Sequence, residues 1–403
     1  MGHRAGESER ASVYAWRTMR PYALLIGAAL LLEISMNLPL GAMPLELVKE
    51  GVSPGAVALA VGCGMFSTLL FSLPMGALTD RFGRLFTMRL AGGLMMLVLV
   101  GLSVTHGVWW GALWLGLRGI AITSWLTAKF AYASNLFAEE RGIATIVSLG
   151  MFGNVAFALG PVSGVALEQY GIGRGQYVYA MMLVLIGMLL TALLPAGHDV
   201  RSAALERAVM VRASWLPAMG FLAAARMEAG VNFSLAVLTF HDRGIGNGAL
   251  LFTAAAFVSF FFRWPAGMLV ERFGARRVAI PVVVLNGTAC VLASVAHTTL
   301  GVLLAGVVFG IGGTAILPVG LRLLFEKSEQ ESRGAAMGAY QFACSLGLML
   351  GALLASFTVS IALGYSAAME ACAVIPLAAL PFVLGYKLRT FMSLRVEESV
   401  VRS

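Results

Sequence analysis

Charge is scarce in this chain. Only 12% of its 403 residues are Asp, Glu, Lys or Arg, against roughly 25% in ordinary soluble domains, and this excludes a conventional water-soluble globule. Cysteine is scarce as well: Cys63, Cys290, Cys344 and Cys372 all lie in apolar runs, with no Cys-x-x-Cys pair. That spacing offers neither a disulfide framework nor a metal or redox site, so four free, buried thiols are expected. Short alternating strands are missing, which excludes a β-barrel. No Walker motif, His-Glu-x-x-His or Gly-x-Ser-x-Gly occurs, so ATP-driven work and hydrolase chemistry have no support, and neither enzyme activity nor a cofactor is expected. No cleavable leader is expected, because the first apolar run is too long and no small-residue cleavage motif follows it.

What remains is 59% hydrophobic and holds 47 glycines, a composition that suits membrane helices, where Gly is well tolerated. Twelve apolar segments approach the roughly 20 residues that a bilayer span requires: 22–43, 54–78, 86–105, 108–134, 143–168, 176–195, 214–239, 248–269, 278–297, 300–323, 334–362 and 366–386. Irregular backbone cannot face lipid, so each is expected to be a helix. The fold class is therefore an all-α polytopic membrane protein of 12 transmembrane helices. Its expected parts are a tail (1–21), a six-helix bundle (22–195), a linker (196–213), a second bundle (214–387) and a second tail (388–403). Ser202 to Val211 in the linker could form a small amphipathic helix.

The net charge of +8 has a topological reading that needs no nucleic acid. With the N-terminus inside, twenty Lys and Arg fall on the inner side and three, Lys49, Arg174 and Arg243, on the outer. The positive-inside rule then puts both termini in the cytoplasm. Five bases remain within spans: Arg118, Lys129, Arg226, Arg263 and Arg322.

The two bundles repeat one plan. PMGALTDRFGRL, starting at Pro74, recurs from Pro265 as PAGMLVERFGARR. Gly76, Leu78, Arg81, Phe82 and Gly83 answer to Gly267, Leu269, Arg272, Phe273 and Gly274, and Asp80 to Glu271, at an offset of 191 residues. Gly119 with Gly310, and Gly160 with Gly351, keep the same offset. Two parallel six-helix halves, duplicated and fused into a pseudo-symmetric pair, explain this self-similarity.

With these motifs in hand, the chain resembles the major facilitator superfamily over about residues 20–390. The family's loop between helices 2 and 3 reads G-x-L-a-D-R-x-G-R-[RK], matched by Gly76, Leu78, Asp80, Arg81, Gly83 and Arg84 and departing at Leu85. In the family such contacts latch the cytoplasmic side, so the resemblance implies a conformational latch at Gly76, Asp80, Arg81, Gly83 and Arg84, echoed by Glu271 and Arg272. Helix 5 carries Gly160, Pro161 and Gly164, similar to a motif of proton-exchanging exporters. Ala156 and Val165 replace two of its glycines, and close helix packing is the alternative reading. Drug:proton antiporters often carry R-x-x-x-G in helix 4; its Arg would fall at Leu115, whereas this chain has Arg118.

An ionisable side chain at mid-span is costly to insert and is a functional candidate. Glu33 lies eleven residues after Tyr22, about 16 Å at 1.5 Å each, halfway through the first span. Asn37 is one turn on, and helix 7 repeats the pair as Glu228 and Asn232. In the family, helices 1 and 7 line the transport path. The expected substrate or proton-coupling residues are therefore Glu33, Asn37, Arg118, Arg226, Glu228 and Asn232, with Arg118 as the partner of Glu33. Lys129 and Arg322 are expected near inner helix ends, either snorkelling or lining a vestibule. Trp109, Trp110, Trp114 and Trp125 are read as interface anchors or packing. The resemblance implies a monomeric secondary transporter working by alternating access on a small molecule. Proton-coupled efflux of an amphiphilic compound is the first reading. An importer or uniporter of a sugar, nutrient, organic anion or lipid-like molecule is the alternative, and a receptor or enzyme on the same scaffold a remote one.

Overall fold

The computed structural model describes residues 2–136, 142–196, 213–326 and 333–384. Among them are twelve long helices and no strand: α1 (Gly2–Lys49), α2 (Pro54–Phe82), α3 (Arg84–Val104), α4 (Val108–Leu136), α5 (Gly142–Gln169), α6 (Gly175–Ala192), α7 (Leu216–Asp242), α8 (Leu250–Phe273), α9 (Ala275–Val295), α10 (Thr299–Phe325), α11 (Arg333–Ser360) and α12 (Gly364–Leu384). Ten of the helices are long and apolar enough to cross a bilayer. The two others are α12, whose apolar stretch Gly364–Ala378 is shorter, and α4, which carries Arg118 and Lys129.

The first helix departs from expectation at both ends. It starts at Gly2 without a break near residue 21 and continues past residue 43 to Lys49, with Pro21, Pro39 and Pro44 inside it. Proline removes one helical hydrogen bond, but neighbouring helices in a membrane bundle re-satisfy the freed groups. Most of the expected linker, its Ser202–Val211 segment and the tail 388–403 lie outside the described residues.

The chain divides into two compact units, Met1–Ala208 and Val209–Ser403. In the first, α1 packs on α5 and α6, α2 on α4, and α3 on α4 and α6. In the second, α7 packs on α11 and α12, α8 on α10, and α9 on α10 and α12. The pairing scheme is the same in both.

Glycine sets how closely the paired helices approach. A Cβ on Gly41 of α1 would lie 2.0 Å from Pro161 O of α5, and one on Gly164 would lie 2.4 Å from Leu38 O. Gly160 faces Ile34 O at 2.9 Å in the same sense. The α7–α11 seam repeats this at Gly230 (Leu348 O, 2.1 Å) and Gly351 (Met227 O, 2.0 Å). With lipid as apolar as Leu, backbone-to-backbone approach of this kind is what holds membrane helices together.

The repeated loop is equally alike in its two copies. α2 and α3 are joined through Gly83 alone (φ 98°), and α8 and α9 through Gly274 alone (φ 81°). Each glycine N–H closes the preceding helix, onto Thr79 O at 3.0 Å and Val270 O at 2.9 Å. A side chain at that φ would be strained, hence Gly in both copies.

Adding one methyl group tests the seam. Gly41→Ala is expected to lower stability by about 1–3 kcal/mol, because backbone on the facing helix cannot yield as a flexible side chain can. Gly93→Ala, where a Cβ meets nothing within 4 Å, is expected to be neutral or stabilising by about 0.5–1 kcal/mol. Thermal unfolding in detergent measures both, and equal effects would show that the seam is not tight.

Candidate functional site

The polar interior of the first unit is built on α1 and α4. Glu33 is 6% exposed and Lys129 1% exposed. Lys129 Nζ donates to Glu33 Oε1, closing a buried ion pair. Trp125, one turn before Lys129 on the same face of α4, donates its Nε1 to the same oxygen at 2.8 Å. On α5, a Cβ at Gly153 would lie 2.9 Å from Glu33 Oε2, so glycine there leaves room for the carboxylate. Lys129 also sits over the Phe130 ring, 4.6 Å from its centroid. Such a pair survives desolvation only with good geometry and extra hydrogen bonds, which Trp125 supplies.

The partner anticipated for Glu33 is thus corrected. Arg118 donates from Nε to Met36 O and from Nη2 to Asn37 Oδ1 at 3.4 Å. Asn37 in turn donates to Glu33 O at 2.8 Å. Lys129, expected to snorkel or line a vestibule, is the ion-pair partner instead. Trp125 is a hydrogen-bond donor in the core and not an interface anchor. The long, flexible stems of Arg and Lys reach past the depth that residue counting assigns them.

The second unit answers with the same residue types in a different state. Glu228 is 0% exposed. Neither of its carboxylate oxygens has a hydrogen-bond partner among the described residues, contacts with the amides of Glu228 and Ala229 falling outside hydrogen-bond geometry. Asn232 accepts from the Tyr365 hydroxyl at 2.6 Å. It also opens a π-helical turn, Asn232–Ala236, within α7, a feature concentrated at functional sites. Arg226 is half-buried on another face of α7. Cys290, Cys344 and Cys372 are buried and free; Cys63 is free but only half-buried, contrary to expectation.

Of the latch residues, Arg81 lies over Phe82 at 5.5 Å, and Arg272 repeats this over Phe273 at 5.4 Å. Glu271 is exposed, Arg84 is half-buried, and Gly76 has open space where a Cβ would be. The Asp80 side chain falls outside the described residues. Arg322 and Arg276 both approach Glu326, at 3.8 and 3.9 Å.

One polar network went unforeseen. Where the α1–α2, α3–α4 and α5–α6 connections meet, Tyr177 and Gln176 donate to the two oxygens of Glu46 at 2.6 and 2.7 Å. Lys49 pairs with Glu168 at 2.5 Å. Glu50 accepts from Arg174 at 2.6 Å and from the Gly107 amide at 2.8 Å, and its other contact is His106 at 2.9 Å. Burial works against the Glu50 carboxylate, but Gly107, His106 and Arg174 together hold it below the ordinary carboxylate range. Ending the first span at residue 43 had left Glu46 in a loop; the longer helix brings it into the bundle.

No group of three or more His, Cys, Asp or Glu that could hold a metal occurs among the described residues. Residues 25–241 and 219–392 match the family model described as Major Facilitator Superfamily. An uncharacterized MFS-type transporter, YcaD, of Escherichia fergusonii is 26% identical over 357 residues, covering 86% of this chain and 90% of the relative. The crystal structure of the nucleoside transporter NupG superposes with a TM-score of 0.72 at 12% identity, covering 91% of this chain and 99% of that one. A POT family transporter in complex with a thioalcohol-conjugated peptide gives 0.73 at 12% identity, covering 92% and 96%. Likeness at this identity shows the fold alone.

Removing one member of a buried ion pair leaves an uncompensated charge. Lys129→Met is therefore expected to cost about 3–5 kcal/mol, and Glu33→Gln with Lys129→Met together clearly less than the single change. Additive losses in thermal unfolding would show the pair to be uncoupled. For Glu50 the folded value lies below the unfolded one. Its contribution is then fully present above the unfolded carboxylate value and disappears as pH falls through the folded one. Glu50→Gln should lower stability by about 1 kcal/mol at neutral pH and make no difference near about pH 3. A deficit unchanged at the acid end would mean the carboxylate charge is not what matters.

Proposed function

The chain belongs to the major facilitator superfamily, and on that premise we propose that this secondary transporter couples export of a small amphiphilic molecule to proton entry. The observation that carries the reading is the buried Glu33 carboxylate, held by Lys129 and Trp125 at mid-span. It is a titratable group inside the bundle whose counter-charge is also buried.

The step is local and balanced. A proton arriving at Glu33 Oε1 converts the ion pair into a neutral acid beside a free ammonium. Lys129 then loses its counter-charge inside a low-dielectric bundle, an unstable arrangement. Movement of the bundle that hydrates Lys129 or brings it a new partner is favoured in that state, and loss of the proton restores the pair. Asn37 lies on the neighbouring turn of α1 and accepts from Arg118 of α4, so substrate contacts there sense the state of Glu33 through the Asn37–Glu33 O bond. Alternating access follows if the two protonation states prefer different arrangements of the halves, since a ligand shifts such an equilibrium only through differential affinity. Gly76, Asp80, Arg81, Gly83 and Arg84, with Glu271 and Arg272, act as the latch. The protein works as a monomer in the cell membrane with both termini cytoplasmic.

Flux of three naphthalene derivatives whose charges do not vary with pH tests this: a sulfonate, its neutral sulfonamide and a quaternary ammonium. In proteoliposomes, an imposed pH gradient should drive accumulation of at least one by the wild type. Glu33→Gln should lose that drive while keeping gradient-free exchange within about twofold, and Glu228→Gln should change affinity and keep the pH dependence. Full gradient-driven flux in Glu33→Gln would remove Glu33 as the carrier.

A further inference from the structure

Arg118 is a buried base whose charge is left unanswered. It stands ten residues after the start of α4 at Val108, about 15 Å along the helix and so at mid-span, and it is 5% exposed. Its Nε donates to Met36 O, and its Nη2 reaches Asn37 Oδ1 only at 3.4 Å. Both acceptors are neutral. Nη1 has no acceptor among the described residues, yet it is not sealed off as the unpartnered Glu228 oxygens are. The forked end of the guanidinium therefore opens onto accessible space, beside an Asn37 that is itself only half-buried.

The charges gathered here do not cancel. Lys129 and Arg118 bring two positive charges to α1 and Glu33 brings one negative, so one positive charge is left over. No carboxylate among the described residues forms an ion pair with Arg118. Glu33 is taken by Lys129. Glu46, the next acid along α1, lies about 20 Å further on and accepts from Tyr177 and Gln176 instead. Other bases in the chain are handled differently. Arg243 is bound by the carbonyls of Ala293, Ser294 and Ala296 and by Ser366. Arg174 is bound by two carbonyls and Glu50. An intramembrane guanidinium with its fork unfilled is costly unless something else supplies the negative charge.

We infer that Arg118, with Asn37 beside it, is an anion subsite in the first unit, and that the cargo carries a carboxylate, sulfonate or phosphate-type head. The inference deepens the reading of this turn as the place of substrate contact and rests on it, but not on proton coupling. A guanidinium suits such a head because its parallel N–H groups meet two oxygens at once. One anionic head brings the group of Glu33, Lys129 and Arg118 to neutrality. A lipid head group has the same chemistry but sits at the interface, half a bilayer from Arg118, so a free solute is the occupant.

Binding to the purified full chain in detergent, at neutral pH, tests this with the same three naphthalene derivatives, read by thermal shift and by equilibrium dialysis. The sulfonate should bind at least about tenfold more tightly than the sulfonamide or the ammonium. Arg118→Gln should weaken it about tenfold or more, and Arg118→Lys less than that. Asn37→Asp places a carboxylate where the amide now meets Nη2, so it should fill the fork from within and also weaken sulfonate binding about tenfold or more, with thermal stability kept or raised. A merely structural arginine would not lose the sulfonate when given a better internal partner. Two substitutions on separate helices keep the test open if one of them fails to fold. No pH gradient enters this measurement, so selective sulfonate binding alongside absent gradient-driven flux would fail the coupling reading alone. The titration is repeated with added phosphatidylglycerol, which should compete only weakly. Equal binding of the three compounds, unchanged sulfonate affinity in either folded variant, Arg118→Gln or Asn37→Asp, or protection by phosphatidylglycerol alone would overturn the proposal.

Discussion

A charge inside hydrocarbon has to find its counter-charge within one side-chain length, because water is not there to replace it. In the first unit this constraint organises α1, α4 and α5 around one carboxylate. Lys129 and Trp125 come from successive turns of α4, and Gly153 makes space on α5. Each is a residue that would otherwise be costly or wasteful at its position: a buried ammonium, a buried indole N–H, a helix glycine. Together they are mutually satisfied, and none makes sense alone.

The glycine seams are what let so short a reach suffice. Where Gly41 and Gly164 lie against opposing backbone, α1 and α5 approach closely, and the second unit repeats the contact at Gly230 and Gly351. Helices held this closely resist small displacements and therefore switch between discrete packings instead of deforming continuously. For a family that works by moving helical bundles, rigid seams within each unit are the useful property.

Much of this was legible beforehand, and the failures share a cause. Hydropathy located the helices, and the recurring RFG located the repeat, since a single positive-φ glycine is needed wherever two antiparallel helices turn without a loop. Depth counting put Glu33 at mid-span. It failed for its partner because Cα depth says little about where a lysine Nζ or an arginine fork ends up. Glu46 escaped notice because Pro44 reads as a stop, whereas α1 runs through three prolines. The α7 π-turn had no sequence signal. Long-range partners and backbone irregularities are properties of the assembled bundle, and a one-dimensional pattern does not contain them.

Duplication also supplies a comparison within one molecule. The Glu-x-x-x-Asn pattern occurs in both units. Yet the first carboxylate has a lysine and an indole, while the second has no hydrogen-bond partner among the described residues. Arg226, two residues before Glu228, is half-buried on another face of α7. The frames also differ, for Asn232 opens a π-helical turn in α7 whereas Asn37 lies within the continuous α-helix of α1. The first unit closes a buried acid–base pair on Glu33, whereas Glu228 is buried with no ion pair among the described residues.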